Sequence, residues 1–239
     1  MITQAMILAA GKGTRMRPLT LTTPKPLVPV ADKPLIFWHI ERLKAAGITD
    51  ITINAGYLGK VLIDALAAQD FGVNLRISDE SVLPEPLETA GGIRHALAQG
   101  LLADAPFILV NGDVWSEYDF GRLAHLTLGD NLAHLVLTKN PEHNLAGDFH
   151  LTAGRVSEKD DSQSTENHHT FAGISVLNPK IVADVAAGKI APLAPFLKAA
   201  MADGRVAGEL MSDLWVDVGT LERLAWVDNY AKSLADKRG

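Results

Sequence analysis

The sequence predicts an α/β protein built on a doubly wound, mostly parallel sheet. Three observations carry that expectation. Apolar runs of strand length alternate with segments of helical period from residue 2 to residue 111, the order that builds parallel sheets with helices on both faces. The first apolar run, Met6 to Ala10, stops at a glycine turn, where such sheets bind ligands beyond their strand ends. The chain has 239 residues, 47% of them hydrophobic, enough for one sizeable core and too many for a disordered chain. Without an internal repeat or a long linker, residues 1–239 read as a single domain.

Residues 2–10 are the first expected strand. Asp32 can cap a helix with Pro34 in its first turn. Leu35, Ile36, His39, Ile40 and Leu43 then recur at helical spacing, and Gly47 ends the helix. Residues 48–55 read as a second strand and 58–68 as a helix. Val73, Leu75 and Ile77 alternate as a third strand. A Pro/Glu-rich loop follows, and Thr89-Ala90-Gly91-Gly92 leads into a helix ending near 99. Residues 106–111 are another strand, with Gly112-Asp113 at its carboxyl end.

The second half is less regular. Residues 132–138 are strand-like, and 148–151 with 155–158 form a hairpin about Gly154. Residues 159–168 are polar and aperiodic and read as a mobile loop. A strand is expected at 171–177, helices at 179–187 and 192–202, each with proline near its start, a short strand at 214–218, and a closing amphipathic helix at 221–237.

Composition removes several function classes. Cysteine is absent, which excludes disulfides and thiolate metal sites. The formal net charge of −6 argues against nucleic acid as a partner. No secretory signal is visible and no run approaches the roughly 20 apolar residues of a membrane span. The expectation is a cytoplasmic protein without a membrane partner, monomeric or a small homo-oligomer. The eight histidines show no ligand spacing.

Against this acidic background, the block after the first strand stands out. Ala10, Gly11, Lys12, Gly13, Thr14, Arg15, Met16 and Arg17 run into Pro24-Lys25-Pro26-Leu27. Two glycines let backbone N–H groups face an anion, and several cations surround them. The P-loop pattern fails because Gly13, not Ser or Thr, follows Lys12. The dinucleotide pattern fails because Met16 stands where its third glycine belongs. Lys12 and Arg17 read equally well as solvated surface cations. Asp113 alone could be a turn residue, and Asp217, in Trp215-Val216-Asp217-Val218-Gly219-Thr220, a helix cap.

The two-part block resembles the signature of the sugar-1-phosphate nucleotidyltransferases, the sugar-nucleotide pyrophosphorylases. Residues 11–19 match their glycine-rich activation loop, and Pro24-Lys25-Pro26-Leu27 their lysine motif. Leu87-Glu88-Thr89-Ala90-Gly91-Gly92 resembles their Leu-Gly-Thr-Ala-Gly nucleotide-binding segment, with Glu88 replacing the usual glycine. The segment around Asp217 resembles their late Trp-x-Asp-x-Gly-Thr motif. The resemblance covers residues 6–224 and implies a Rossmann-like, GT-A-like fold without the C-terminal β-helix of many relatives. It implies catalytic roles for Arg15 and Lys25, and a Mg²⁺ held by Asp113 and Asp217. Ala10, Gly11, Gly13, Thr14, Glu88, Thr89, Ala90, Gly91 and Gly92 would bind the nucleotide. For the sugar it points to Glu158, Lys159 and Gly173, the Glu-Lys pair being followed by Asp160 instead of the family's proline; Asn111 and Asn54 are further polar candidates at strand ends, and Asp148 reads either as a sugar contact or as a turn.

The implied reaction joins a nucleoside triphosphate to a sugar 1-phosphate with release of pyrophosphate. Within the family the chain looks most like the uridylyltransferases that act on N-acetylmuramate 1-phosphate in cell-wall recycling, with UTP as donor. Mannose-1-phosphate guanylyltransferases, then glucose-1-phosphate thymidylyl- or uridylyltransferases, are the alternatives. A non-catalytic nucleotide-sensing subunit is the alternative of another class. Such a subunit is expected to lose the lysine or an aspartate, and here all four charged residues are present.

Overall fold

The structure is a computed structural model that describes residues 1–159 and 165–236. Its elements follow in chain order: β1 (Gln4–Leu8), β2 (Pro29–Val30), β3 (Lys33–Pro34), α1 (Leu35–Ala45), β4 (Asp50–Ala55), α2 (Gly59–Ala67) and β5 (Asn74–Asp79). Then come α3 (Glu88–Ala98), β6 (Phe107–Asn111), β7 (Val114–Ser116), α4 (Gly121–Ala124), β8 (Ala133–Thr138), β9 (Phe149–Thr152) and β10 (Arg155–Glu158). The chain continues through β11 (His168–Leu177), α5 (Ala194–Ala202), β12 (Val206–Leu210), β13 (Trp215–Asp217) and α6 (Leu221–Asp236).

Nine strands form the main sheet in the order β5, β4, β1, β6, β11, β8, β12, β10, β9. Successive strand residues face opposite sides, and both sides are covered. Ala5 and Ile7 of β1 join a core with Ile36, Ile40 and Leu43 of α1 and Leu62 and Leu66 of α2. Met6 joins the opposite core with Ala90, Ile93 and Ala96 of α3 and Leu197 and Met201 of α5. This is the doubly wound arrangement the alternation predicts.

The pairings from β5 to β6 are all parallel. Beyond β6 the sheet is mixed: β11 pairs antiparallel with both β6 and β8, and β12 runs parallel to β8. The expected parallel sheet therefore holds for the first half and gives way in the second. Registers align Leu8 with both Asn54 and Asn111, so three strands end level. Chain order reverses at β1, which sends β4 and β5 to one side and β6 to the other. Ligands bind at such switch points.

A third core lies beneath the first loop. Met16, Val28, Val30, Leu35, Trp115 and Val218 meet Val227 and Ala231 of α6. Met16 is fully buried, so the position a dinucleotide motif would give to glycine is a core anchor. Asp32 caps no helix; with Ala31 it makes the left-handed turn of the small β2–β3 hairpin, and Pro34 precedes α1 directly. Residues 179–182 form only a short 3-10 turn in place of the expected helix. Of the expected mobile loop, residues 160–164 lie outside the described residues; Thr165–Asn167 is a 3-10 turn and His168 already belongs to β11.

Candidate active site

The glycine loop leaves β1 at the level carboxyl edge. The backbone of Gly13 is left-handed, with φ +57, and a Cβ there would lie 3.1 Å from Thr20 Cγ2 and 3.2 Å from Lys25 Cβ. Only glycine satisfies both demands. The Thr20 hydroxyl donates to the Gly13 carbonyl at 2.8 Å, and Met16 pins the turn into the third core. Thr14 and Arg15 are thereby carried to the surface of the cleft, where the Arg15 side chain is 62% exposed.

β4 and β5 brace the loop from one side. The Asn54 side chain accepts from the Ala9 N–H at 2.7 Å and donates to Glu80 Oε1 at 2.9 Å. Glu80 is 3% exposed, and its other oxygen accepts from the Leu87 N–H at 3.3 Å. The end of β5 is thus tied to the start of α3.

β6 delivers Asp113 from the other side. The Gly112 N–H donates to the Leu8 carbonyl at 2.9 Å, and a Cβ on Gly112 would lie 2.6 Å from that oxygen. Asp113 is therefore held against the end of β1. β7 pairs with β13 so that Asp217 lies opposite Val114, and the Val218 N–H donates to the Asp113 carbonyl at 2.9 Å. Two carboxylates 104 positions apart in the chain become neighbours across one short ladder.

Basic side chains meet both carboxylates. Lys25 is 8% exposed and its Nζ donates to Asp113 Oδ2 at 2.6 Å. Asp217 Oδ2 lies 3.2 Å from Arg223 of α6, 3.7 Å from His143 Nε2 and 3.9 Å from Arg15. Among the described residues no three His, Cys, Asp or Glu side chains cluster as metal ligands. Two carboxylates beside a basic loop still suit a hard cation such as magnesium, which takes one or two protein carboxylates and fills its shell with phosphate oxygens and water.

Two cavities share these groups. The larger, about 510 Å³, is lined by residues 8–15, Lys25, Asn54, Glu80, Glu88, Thr89, Asn111 and Asp113. A volume of that order matches a small-molecule site. The smaller, about 370 Å³, is lined by Arg15, Asn111, Asp113 and Asp217 together with His143, Asn144, Asp148, Thr170 and Gly173. Gly173, at φ +70, would bring a Cβ within 2.8 Å of Asn111 Nδ2 and sits where β11 shifts register against β8. Asp148 accepts from the Phe171 N–H at 2.8 Å and from Asn144 at 3.0 Å, so it both shapes this wall and faces it.

Most expected site residues meet here. Ala90, Gly91 and Gly92 do not line either cavity. They are buried in α3, where a Cβ on Gly91 would lie 2.4 Å from the Lys189 carbonyl and one on Gly92 2.8 Å from Glu80 Oε1; their smallness serves packing. Glu158 also lies away from both cavities and pairs with Lys198 at 2.6 Å. Lys159 lines neither and donates to the Gly147 carbonyl at 3.4 Å. Glu80, His143 and Arg223 are the groups the sequence reading missed. Glu80 had a signal, since it follows β5 at the same sheet edge as Asn54 and Asp113. Arg223 and His143 meet only through the tertiary fold.

Glu88 is the unusual member. Its backbone has φ +60, and a left-handed conformation costs a non-glycine residue about 1–2 kcal/mol. Of the other described non-glycine residues with positive φ, Ala31, Asp32, Leu58 and Ala153, none lines either cavity. A favourable field from the helix N-terminus returns only about 0.3–1 kcal/mol.

The chain is similar to several proteins of known description. A family model described as "Nucleotidyl transferase" matches residues 4–233. An N-acetylmuramate alpha-1-phosphate uridylyltransferase from Neisseria meningitidis serogroup B is 47% identical over 228 residues, covering 92% of this chain and 95% of that protein. A mannose-1-phosphate guanyltransferase from Emericella nidulans is 35% identical, with 90% of this chain matching 60% of that longer protein. The crystal structure of a putative glucose-1-phosphate thymidylyltransferase from Bacillus anthracis shares the fold, with a TM-score of 0.78 and 21% identity over 96% of this chain and 95% of that one. A match spanning nearly every residue, on a fold shared with solved structures, identifies this chain as a member of the nucleotidyl transferase family.

Proposed function

We propose that this protein transfers the uridylyl group of UTP to N-acetylmuramic acid 1-phosphate, giving the UDP-sugar and pyrophosphate. The observation that carries the reaction class is the convergence of Arg15, Lys25, Asp113 and Asp217 on the edge where β1 and β6 end. The substrate assignment is supported by a relative of nearly equal extent, matched over 95% of its length.

In this reading the triphosphate lies along the Gly11–Arg15 turn in the larger cavity and the sugar phosphate enters from the smaller one. A phosphate oxygen of the sugar phosphate attacks the α-phosphorus in line. The new P–O bond forms as the bond from the α-phosphorus to the β-phosphate oxygen breaks, and pyrophosphate leaves with the electron pair. The attacking oxygen is already anionic, so no strong base is required. Positioning and charge neutralisation supply the rate. Lys25, held by two prolines and nearly buried, offers a point charge at the α-phosphoryl group. Arg15, exposed at the cleft and beside Asp217, offers a planar fork for the departing pyrophosphate. A Mg²⁺ held by Asp113 and Asp217 would neutralise the reacting phosphates. Lys25 and Arg223 hold those two carboxylates in place. One phosphoanhydride replaces another, so the reaction is reversible.

No helix among the described residues is long and apolar enough to cross a membrane, and we read the reaction as a cytoplasmic one. A pyrophosphate-release panel tests the assignment: UTP, GTP, dTTP, CTP and ATP against N-acetylmuramic acid, N-acetylglucosamine, mannose and glucose 1-phosphates, with Mg²⁺. The expected best pair is UTP with N-acetylmuramic acid 1-phosphate. Turnover of GTP with mannose 1-phosphate in its place would move the chain to the guanylyltransferases, and silence across the panel would make it a non-catalytic relative.

A further inference from the structure

The left-handed start of α3 is imposed from outside. The Leu87 N–H donates to Glu80, and the Ala191 N–H donates to the Leu87 carbonyl at 3.0 Å. The Ala90 and Gly91 N–H groups both donate to the Ala191 carbonyl, at 2.9 and 3.0 Å. Whatever residue stands at 88 must take this backbone, and glycine takes it without strain. The chain carries glutamate there. Its side chain is exposed into the larger cavity and has no hydrogen bond or ion pair among the described residues. Helix capping does not account for it. The N–H groups at 90 and 91 already have a carbonyl partner, and the helix field returns less than the backbone costs.

The cavity is polarised. Lys12, Arg15 and Lys25 line the side of the glycine loop, where Asp113 is paired with Lys25, whereas Glu80 and Glu88 line the side made by β5 and α3, to which the cavity lining adds no cation. An anionic triphosphate is drawn to the first and repelled by the second, which turns the nucleoside half toward Glu88. An ionised carboxylate acts on an uncharged nucleoside by accepting hydrogen bonds. The donors that a uridine offers are its ribose hydroxyls and its imide N–H.

We infer that Glu88 is a specificity-determining residue that accepts a hydrogen bond from the nucleoside half of the bound nucleotide, an inference that rests on the UTP reading above. Glu88→Gly relaxes the backbone and removes the acceptor; Glu88→Gln keeps the size and removes the charge. The Gly variant is expected to melt no lower than the parent, while its KM for UTP rises about tenfold and kcat changes by less than about threefold. Three analogues, 2′-deoxy-UTP, 3′-deoxy-UTP and N3-methyl-UTP, identify the donor. The analogue that lacks it should have a parent KM close to that of UTP in the Gly variant, and should be indifferent to the substitution. A KM for UTP within about twofold of the parent in both variants overturns the inference. So does an equal further loss with all three analogues, since a carboxylate that bonds none of these donors is only filling space. A parent that turns over no UTP removes the underlying reading along with the inference; an active parent with unaffected variants removes the inference alone.

Discussion

The two halves of the sheet solve different problems. From β5 to β6 the strands are parallel and level, and turns at their ends line the larger cavity. From β11 to β9 the sheet is mixed, and side chains from β11, β13 and the loop before β9 make the wall of the smaller cavity. On the proposed reading the first half meets the triphosphate with this level edge. The second meets its ligand with Asn144, Asp148 and Thr170, linked to one another by side-chain hydrogen bonds. On the proposed reading the level edge serves the chemistry, with Asp217 reaching it from the second half of the chain, and the wall beyond it serves the choice of sugar.

Four experiments sharpen or break that division. Lys25→Ala should lower kcat by about a hundredfold or more, the scale seen when a transition-state charge contact is removed. Steady-state kinetics with a thermal melt check it, and near-normal turnover in a folded variant would take Lys25 out of the mechanism. Gly13→Ala should destabilise the protein by about 2 kcal/mol through its left-handed backbone and the crowding by Thr20 and Lys25, read as a lowered denaturant midpoint.

Asp148→Ala should raise KM for the sugar phosphate about tenfold and leave KM for UTP unchanged. Equal shifts in both constants would erase the distinction between the halves. The last experiment concerns pH. Burial, reinforced by Arg42, pulls the pKa of His39 on α1 from 6.5 down to about 3. The unfolded chain therefore binds a proton that the folded one refuses. This contribution is complete above pH 6.5 and is lost as pH falls toward 3, with a slope of at most about 1.4 kcal/mol per pH unit. Unfolding curves between pH 7 and 4 should show that slope, and a folded His39→Leu variant should lack it.

Legibility followed the same line. Parallel strands buried on both faces read as continuous apolar runs, and β1, β4 and β6 were found within a few residues of their ends. β12, Val-Ala-Gly-Glu-Leu, carries no such run and becomes a strand by pairing with β8 and β10. The β2–β3 hairpin is two residues a side with a proline in each strand, too short for any period. Arg15, Lys25, Asp113 and Asp217 were visible because their neighbours in the chain are as characteristic as they are. Arg223 and His143 sit 80 positions apart, and no local pattern joins them. Gly91 and Gly92 mislead in the opposite sense: the motif marks them, but helix packing consumes them.

The third core ties α6 to the segment that follows β1. Val227 and Ala231 pack with Met16 and Val28, and Asp228 accepts from the Ala31 N–H at 2.8 Å. A ribosome making this chain therefore exposes the glycine loop early and cannot complete its support until α6 has emerged. Nascent chains arrested before residue 221 would have the glycine loop but neither its complete support nor the Arg223 clamp on Asp217, so activity should appear abruptly, late in synthesis, instead of growing with length.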